Sequence, residues 1–443
     1  VRVARLTKSV AAVGLVAASV LPAAAVPAAA VPPAGGTFSV LSYNVAGLPE
    51  GLSSGNPRVN TPIIGQRIRP YDVVHVQEDF NYHAALYAND THPFRTPTSG
   101  GVPFGDGLNT LANSPYSDLV RDKWDRCNGT DCLTPKGFTF SRTRLAEGVF
   151  VDFYNVHTNA GSTDADLAAR RANISELSRF ITANSAGNAV VVAGDTNTRY
   201  TRTGDNIREL VAANDLTDAW VQEERGGVPP AAGDPALVCE DTTVSDACEV
   251  VDKILFRGNR YISLNLTRYA NENAAFRTAD DKMLSDHYPI AADFQWTLEP
   301  ALSLSDVWGG PHGTPFTNVA AVPLGQRVTG VSLRAGTRVD QVGIALIDGT
   351  SFTHGGTGGT AQQLTLAPGE HLTSVTLHSG QRDGRTRIFF ARFTTNTGRT
   401  LSGGTQTPDA VTYTAPAGFQ IAGFHGRAGS ELDALGVIFT RTP

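Results

Sequence analysis

The sequence predicts a layered α/β domain followed by an all-β domain. Near-continuous apolar runs alternate with a helical pattern over 37–298, and short alternating runs separated by glycine turns fill 301–443. Charge divides near the same junction, net -10 over 37–298 and +1 over 299–443.

In the first part, Phe38 to Val45, Asp72 to Val76, Phe150 to Val156, Ala189 to Ala193, Val250 to Phe256 and Ile290 to Phe294 read as strands buried on both faces. Thr163-x-x-Asp166 opens a segment with Leu167, Ile174, Leu177 and Ile181 on one stripe, which predicts a capped helix lying on the sheet. Polar loops should then collect at one sheet edge. In the second part, Val331 to Arg334, Val342 to Ile347 and Leu372 to Leu377 read as strands. The junction from Leu298 to Ser305 is brief, so the two domains are expected to sit close together.

The 443 residues carry a net charge of -6, which excludes a broadly basic nucleic-acid scaffold. Arg2, Arg5 and Lys8 precede an apolar run from Val10 to Val20 and an alanine-rich stretch with Ala-x-Ala sites, the pattern of a secretory signal peptide over 1–30. That run is shorter than the roughly 20 residues a bilayer span needs, and no later segment suits a membrane anchor. A secreted, extracellular and monomeric protein is the expectation. Cys127 with Cys132 and Cys239 with Cys248 then pair as two local disulfides; their spacings suit zinc poorly. Such short loops pin surface segments more than the core. The stretch Gly226 to Asp234, with the second cysteine loop after it, reads as a passive insertion.

Six polar stretches fall at the ends of these runs: Ser42-Tyr43-Asn44, Gln77-Glu78, Asn155-Val156-His157, Gly194-Asp195-Thr196-Asn197, Val251-Asp252-Lys253 and Ser285-Asp286-His287. Taken singly each has an ordinary reading, as a turn, a solvated pair or, for Asp252, a salt bridge with Lys253. Together they suit phosphodiester hydrolysis, which needs a cation, an oriented water, a base and donors for the phosphoryl oxygens. Mg²⁺ takes one or two carboxylates and keeps waters, so Glu78 helped by Asn44 suffices, with Mn²⁺ or Ca²⁺ as substitutes. Asp195 and Asn197 alternate along an extended strand end, so the carboxylate aligns water while the amide donates to phosphate. His287 is the candidate base, His157 a donor to a phosphoryl oxygen or the leaving group, and Asp252 the orienter of one imidazole.

These residues, with Asp106 to Leu111 and Ser114-Pro115 as a central strand, resemble the endonuclease/exonuclease/phosphatase superfamily over about 37–297. The resemblance implies a four-layer α/β sandwich and Mg²⁺ dependence. It implies Asn44 and Glu78 at the metal, Asp195 and Asn197 at water and phosphate, His157 at phosphate, Asp252 behind an imidazole, and Asp286 and His287 as metal-side acid and base. Thr196, where the family often has a bulky apolar residue, departs from the pattern as a packing variation.

Trp308-Gly309-Gly310, His354 to Gly359 and Gly423 to Gly436 resemble a jacalin-type lectin, which implies a β-prism of three sheets over 301–443. In such lectins a Gly-x-x-x-Asp loop binds sugar through backbone amides and one carboxylate. Gly429, Ser430, Glu431, Leu432 and Asp433 fill that loop, with Gly310 as the early glycine. His354, His371, His378 and His425 read as surface or turn residues.

An exported chain with a glycan-binding module points to a phospholipid head group as substrate, cut in the manner of a sphingomyelinase or phospholipase C. A DNase-like endonuclease acting on nucleic acid and an inositol-phosphate phosphatase are the alternatives. A sugar-binding adhesin or toxin with a decayed catalytic domain is the non-enzymic one, and every catalytic position is filled. Against lipid, no apolar hairpin carries a pair of exposed aromatic residues, and Trp124 is flanked by charges. Against duplex binding, Arg170-Arg171 and Arg142-x-Arg144 are the densest cationic pairs.

Overall fold

A computed structural model describes residues 34–443, so the expected signal peptide lies outside the described residues. Two six-stranded sheets form the first part. One runs in the order Ile262–Asn271, Ile290–Leu298, Gly35–Asn44, Val73–Gln77, Asn109–Ala112, Phe94–Arg95. The other runs Tyr116–Lys123, Gly137–Ala146, Val149–His157, Ala189–Asp195, Asp252–Arg257, Thr217–Asp218. The strand read as central, Asn109–Ala112, is fifth of six; beyond it lies only the two-residue edge strand Phe94–Arg95.

The sheets pack face to face with helices outside both. Helix Pro57–Arg67 offers Ile64, with Ile68 just beyond it, to the outer face of the first sheet, where Leu41, Tyr43, Val74 and Val76 meet them. Helix Asp164–Asn184 covers the second sheet with Ile174, Leu177 and Ile181, and opens on the capping box of Thr163 and Asp166. These are the four layers of an α/β sandwich.

Side chains alternate along a strand, so the inward set can be followed to each strand end. Phe38, Val40, Ser42 and Asn44 share the face that meets the second sheet, where Phe38 packs on Phe153. On the second sheet Phe153, Asn155 and His157 face back, as do Val191, Ala193 and Asp195 and, antiparallel to them, Phe256, Ile254 and Asp252. Apolar layers at mid-sheet therefore give way to polar ones at one end. Gln77 Nε2 donates to Asn155 Oδ1 at 2.8 Å between the sheets, and Asn155 Nδ2 donates to the Val76 and Asn109 carbonyls, each at 3.0 Å. Beyond this polar layer lie Asn44, His157 and Asp195.

The second part is three sheets built around Leu432–Arg441 with Phe419–Ala428, Val328–Ala335 with Val339–Leu346, and Leu372–Arg382 with Arg385–Thr395. All pairings are antiparallel, as a β-prism requires. The two parts are pinned together: Arg144 Nε donates to Asp306 at 2.9 and 3.0 Å, and the Gly148 amide donates to Asp306 Oδ1 at 2.9 Å. Gly148 has φ +67 with the Leu304 carbonyl against it, so only glycine fits there. His425, read as a surface or turn residue, is buried in this half, and His354 stacks on Phe316 at 3.8 Å.

Candidate active site

Asn44, Glu78, His157, Asp195, Asp252 and His287 form one continuous chain of contacts. Asn44 Nδ2 lies 3.2 Å from Glu78 Oε1 and 3.3 Å from Asp195 Oδ2. His157 Nε2 is 3.3 Å from Asp195 Oδ2 and 3.9 Å from Glu78 Oε1. His287 Nε2 stands 3.6 Å from Asp195 Oδ2, while its Nδ1 bonds Asp252 Oδ2 at 3.0 Å. The imidazole that Asp252 orients is thus that of His287. Lys253, the ordinary salt-bridge partner for Asp252, points to the other side of its strand, over the Tyr200 and Trp220 rings.

Backbone turns place two of these groups. Glu78 has φ +57 and Asn197 φ +50, both in the left-handed region that costs a side-chain-bearing residue energy. The extended alternation expected for Asp195 and Asn197 therefore fails. The strand ends at Asp195, whose Oδ1 accepts from the Asn197 amide at 2.9 Å, and the turned Asn197 side chain donates to the Thr158 carbonyl at 3.2 Å. Thr196 has a polar task here, donating to the Val251 carbonyl at 2.7 Å and so tying this turn to the segment that bears Asp252.

Ser285, Asp286 and His287 precede the strand Ile290–Leu298 and lie on a loop, which Ser285 Oγ anchors by donating to the Asn44 carbonyl at 2.7 Å. Asp286 Oδ1 lies 3.3 Å from Ser285 Oγ, and the residue lines a cavity of about 230 Å³ on the His287 side. Its carboxylate is the one member of the predicted metal set that makes no contact with Glu78 or Asn44 among the described residues. The same cavity is walled by Val238 and the Cys239–Cys248 disulfide, so the segment read as a passive insertion borders the site. The other expected disulfide, Cys127–Cys132, is also formed.

The electrostatics follow from burial and neighbours. Burial alone would raise the Asp195 carboxyl, but the charge of His287 and the hydrogen bond of His157 outweigh it and hold Asp195 below the usual carboxylate range. Burial would lower His287, and the carboxylates of Asp252 and Asp195 outweigh that and raise it well above the ordinary imidazole value.

Asp195, Asp252 and His287 bring ligand atoms within 4.8 Å of one another. Asp252 Oδ2 is already committed to His287 Nδ1, which leaves Oδ1 as its free oxygen. Glu78 is suited to a hard divalent ion, since its carboxylate is partly open to solvent and the Asn44 amide is beside it.

Three supporting residues escaped the sequence. Trp124, 8 % exposed, donates from Nε1 to the His157 carbonyl at 2.7 Å and braces that strand end from below. Lys136 Nζ reaches the Thr158 carbonyl at 3.5 Å, and its charge helps depress Asp195. Arg199 lines the cavity beside His287 and donates to the Glu249 carbonyl at 3.1 Å. The charged neighbours of Trp124 mask its burial in the sequence, and nothing local marks the other two.

In the second part, Gly310 and the 429–433 loop meet. The Gly310 amide donates to the Asp433 carbonyl at 3.0 Å, so it joins the two loops, and a Cβ there would lie 2.5 Å from the Thr386 carbonyl. Gly429 and Ser430 are exposed, whereas Leu432 is buried in the core and can offer only its backbone. The Glu431 carboxylate is occupied by Arg338 at 2.5 Å and Arg387 at 2.9 Å. Asp433 Oδ1 lies 3.8 Å from Arg387, and burial raises its carboxyl against the pull of that arginine.

The model of the Endonuclease/Exonuclease/phosphatase family 2 matches residues 58–224, and that of the Jacalin-like lectin domain matches 305–438. The chain carries an endonuclease/exonuclease/phosphatase domain and a jacalin-like lectin domain. Glu78, His157, Asp195 and Asn197 fall inside the first match; Asn44, Asp252, Asp286 and His287 lie outside it and join the site through the fold. A sphingomyelinase of Mycobacterium tuberculosis is 40% identical over 273 residues, covering 60% of this chain and 54% of that protein. The chain thus spans about half the length of the curated relatives it matches. Horcolin of Hordeum vulgare is 30% identical over 141 residues, 30% of this chain and 93% of that lectin. Among solved structures, sphingomyelinase C from Streptomyces griseocarneus is 20% identical with a TM-score of 0.41, covering 58% of this chain and 99% of that one.

Proposed function

We propose that the chain is a secreted, Mg²⁺-dependent phosphodiesterase that releases the phosphorylated head group of a phospholipid, in the manner of a sphingomyelinase, and binds glycan through its second domain. The observation that carries this reading is the linked set Asp252, His287, Asp195, Asn44 and Glu78, in which an oriented imidazole and a metal-suited carboxylate flank one small space. The 40% identity to a protein named sphingomyelinase supports the choice of substrate.

A divalent cation at Glu78, with the Asn44 amide beside it, would supply positive charge for the phosphoryl oxygens as they become more negative. The residues do the rest. Asp252 holds His287 Nδ1, so Nε2 faces Asp195 and is free to take a proton from a water that the Asp195 carboxylate aligns. His157 Nε2 and the second amide hydrogen of Asn197 donate to phosphoryl oxygens or the leaving oxygen. In the second domain, the exposed Ser430 amide and the Asp433 carboxylate are the groups that would meet sugar hydroxyls, while the Gly429 amide closes the loop on the Glu431 carbonyl at 3.0 Å.

Duplex cleavage is disfavoured by how the arginines are used. Arg170 is spent on buried Asp205 at 2.9 Å, Arg142 on Asp152 at 2.8 Å and Arg144 on Asp306. Arg171 donates to the Gly204 carbonyl at 2.9 Å, so the densest cationic pairs are engaged within the protein and not on a phosphate backbone. The test is purified protein with Mg²⁺ or EDTA on sphingomyelin vesicles, phosphatidylinositol, plasmid DNA and inositol phosphates. Head-group release from lipid that EDTA stops is the expected result. Nicking of plasmid with untouched lipid would transfer the chain to the nucleases.

A further inference from the structure

The loops around the site end in exposed apolar side chains. Phe104 is 84 % exposed, Leu52 72 %, Leu133 67 % and Val238 55 %. Each sits on a different loop, and each loop is tied to a different member of the site. Leu52 follows Asn44 on a loop held by Ser53 Oγ donating to the Ala46 carbonyl at 2.6 Å and by the Gly47 amide on the Glu78 carbonyl at 3.0 Å. Phe104 lies on the glycine-rich loop that returns against Glu78, where Gly107 accepts from the Asp79 amide at 3.0 Å. Leu133 follows the Cys127–Cys132 disulfide, on the segment that Trp124 and Lys136 fasten to the His157 and Thr158 carbonyls. Val238 shares the His287 cavity.

The Phe104 and Leu133 loops meet at a cavity of about 210 Å³, lined by Pro103, next to Phe104, and by Cys132 and Thr134, which flank Leu133. Single exposed apolar residues are ordinary, but four large ones on separate loops around one site, the two most exposed among them, are more than scatter. The segment from Asp122 to Arg126 beneath them has no net charge, and the surrounding domain is net -10. An anionic membrane would repel such a face, whereas a zwitterionic one would accept its apolar tips.

We infer that this rim is a docking surface for a zwitterionic phospholipid bilayer, with Phe104 and Leu133 as the inserted side chains and Leu52 and Val238 bordering them. The inference rests on the phospholipid reading of the site. It assigns the lipid contact to loops around the mouth.

The test is co-sedimentation of the full chain with phosphatidylcholine vesicles in EDTA, where no turnover occurs. Phe104→Ser with Leu133→Ser should weaken vesicle binding about 10-fold per residue, while Ile347→Ser on the second domain leaves it unchanged. The same double variant should hydrolyse bis(p-nitrophenyl) phosphate at the wild-type rate, which shows the site intact. Wild-type binding should persist at about 0.5 M salt. Unchanged binding by the double variant, or wild-type binding confined to anionic vesicles and lost in salt, overturns the inference. A chain that docks through these residues yet cuts no lipid would sink the substrate reading and leave the docking surface standing.

Discussion

Asp252 Oδ2 lies 3.0 Å from His287 Nδ1, on the opposite side of the imidazole from Asp195, whose Oδ2 is 3.6 Å from Nε2. The ring is held between two buried carboxylates, one fixing its orientation and one facing the reaction.

That arrangement fixes the sign of a pH effect. Asp252 favours the imidazolium, so a base at His287 loses its proton only at raised pH. Asp252→Asn should shift the acid limb of kcat/KM to lower pH, and cut turnover by about 10- to 100-fold because the ring loses its anchor. A profile measured on a soluble diester checks both, and an unmoved limb contradicts the pairing.

Glu78→Gln should raise the Mg²⁺ concentration for half-maximal activity by about 10-fold or more without changing the circular dichroism spectrum. Wild-type protein stripped with EDTA should recover on adding Mg²⁺. An unchanged Mg²⁺ requirement in the variant would move the cation away from Glu78.

The buried pair of Arg170 and Asp205 is structural. Both side chains are wholly buried, and Arg170 also donates to the Asn159 and Gly161 carbonyls at 2.9 Å each. Arg170→Met leaves Asp205 with the Arg199 amide and Arg202, and should cost about 3 kcal/mol in denaturant unfolding. A loss below about 1 kcal/mol would show the pair to be dispensable.

Asp433→Ala should abolish retention on mannose- or galactose-agarose and leave hydrolysis of a soluble diester unchanged. Retained column binding would place sugar recognition elsewhere in the second domain.

Much of this was legible because side chains alternate. From Phe38 the period of two leads through Val40 and Ser42 to Asn44, and from Phe153 through Asn155 to His157, so inward polar residues at strand ends mark the site in one dimension. The capping box of Thr163 and Asp166 was legible for the same local reason. What escaped depends on turns and remote partners. Asn197 reaches the site through a left-handed residue, which alternation cannot anticipate. Arg387 and Arg338 occupy Glu431 from strands that lie far away in sequence. Exposure of Phe104 and Leu133 is a property of loop packing, and burial of Trp124 runs against its charged flanks.

The central claim is that His287 removes a proton from water at a site that cuts phospholipid. Its most direct measurement is ³¹P spectroscopy of sphingomyelin vesicles with Mg²⁺, comparing wild type with a folded His287→Ala variant. A phosphomonoester signal that grows with wild type and slows by at least ~10²-fold in the variant is the predicted result. Equal rates, or no monoester from wild type, would contradict it.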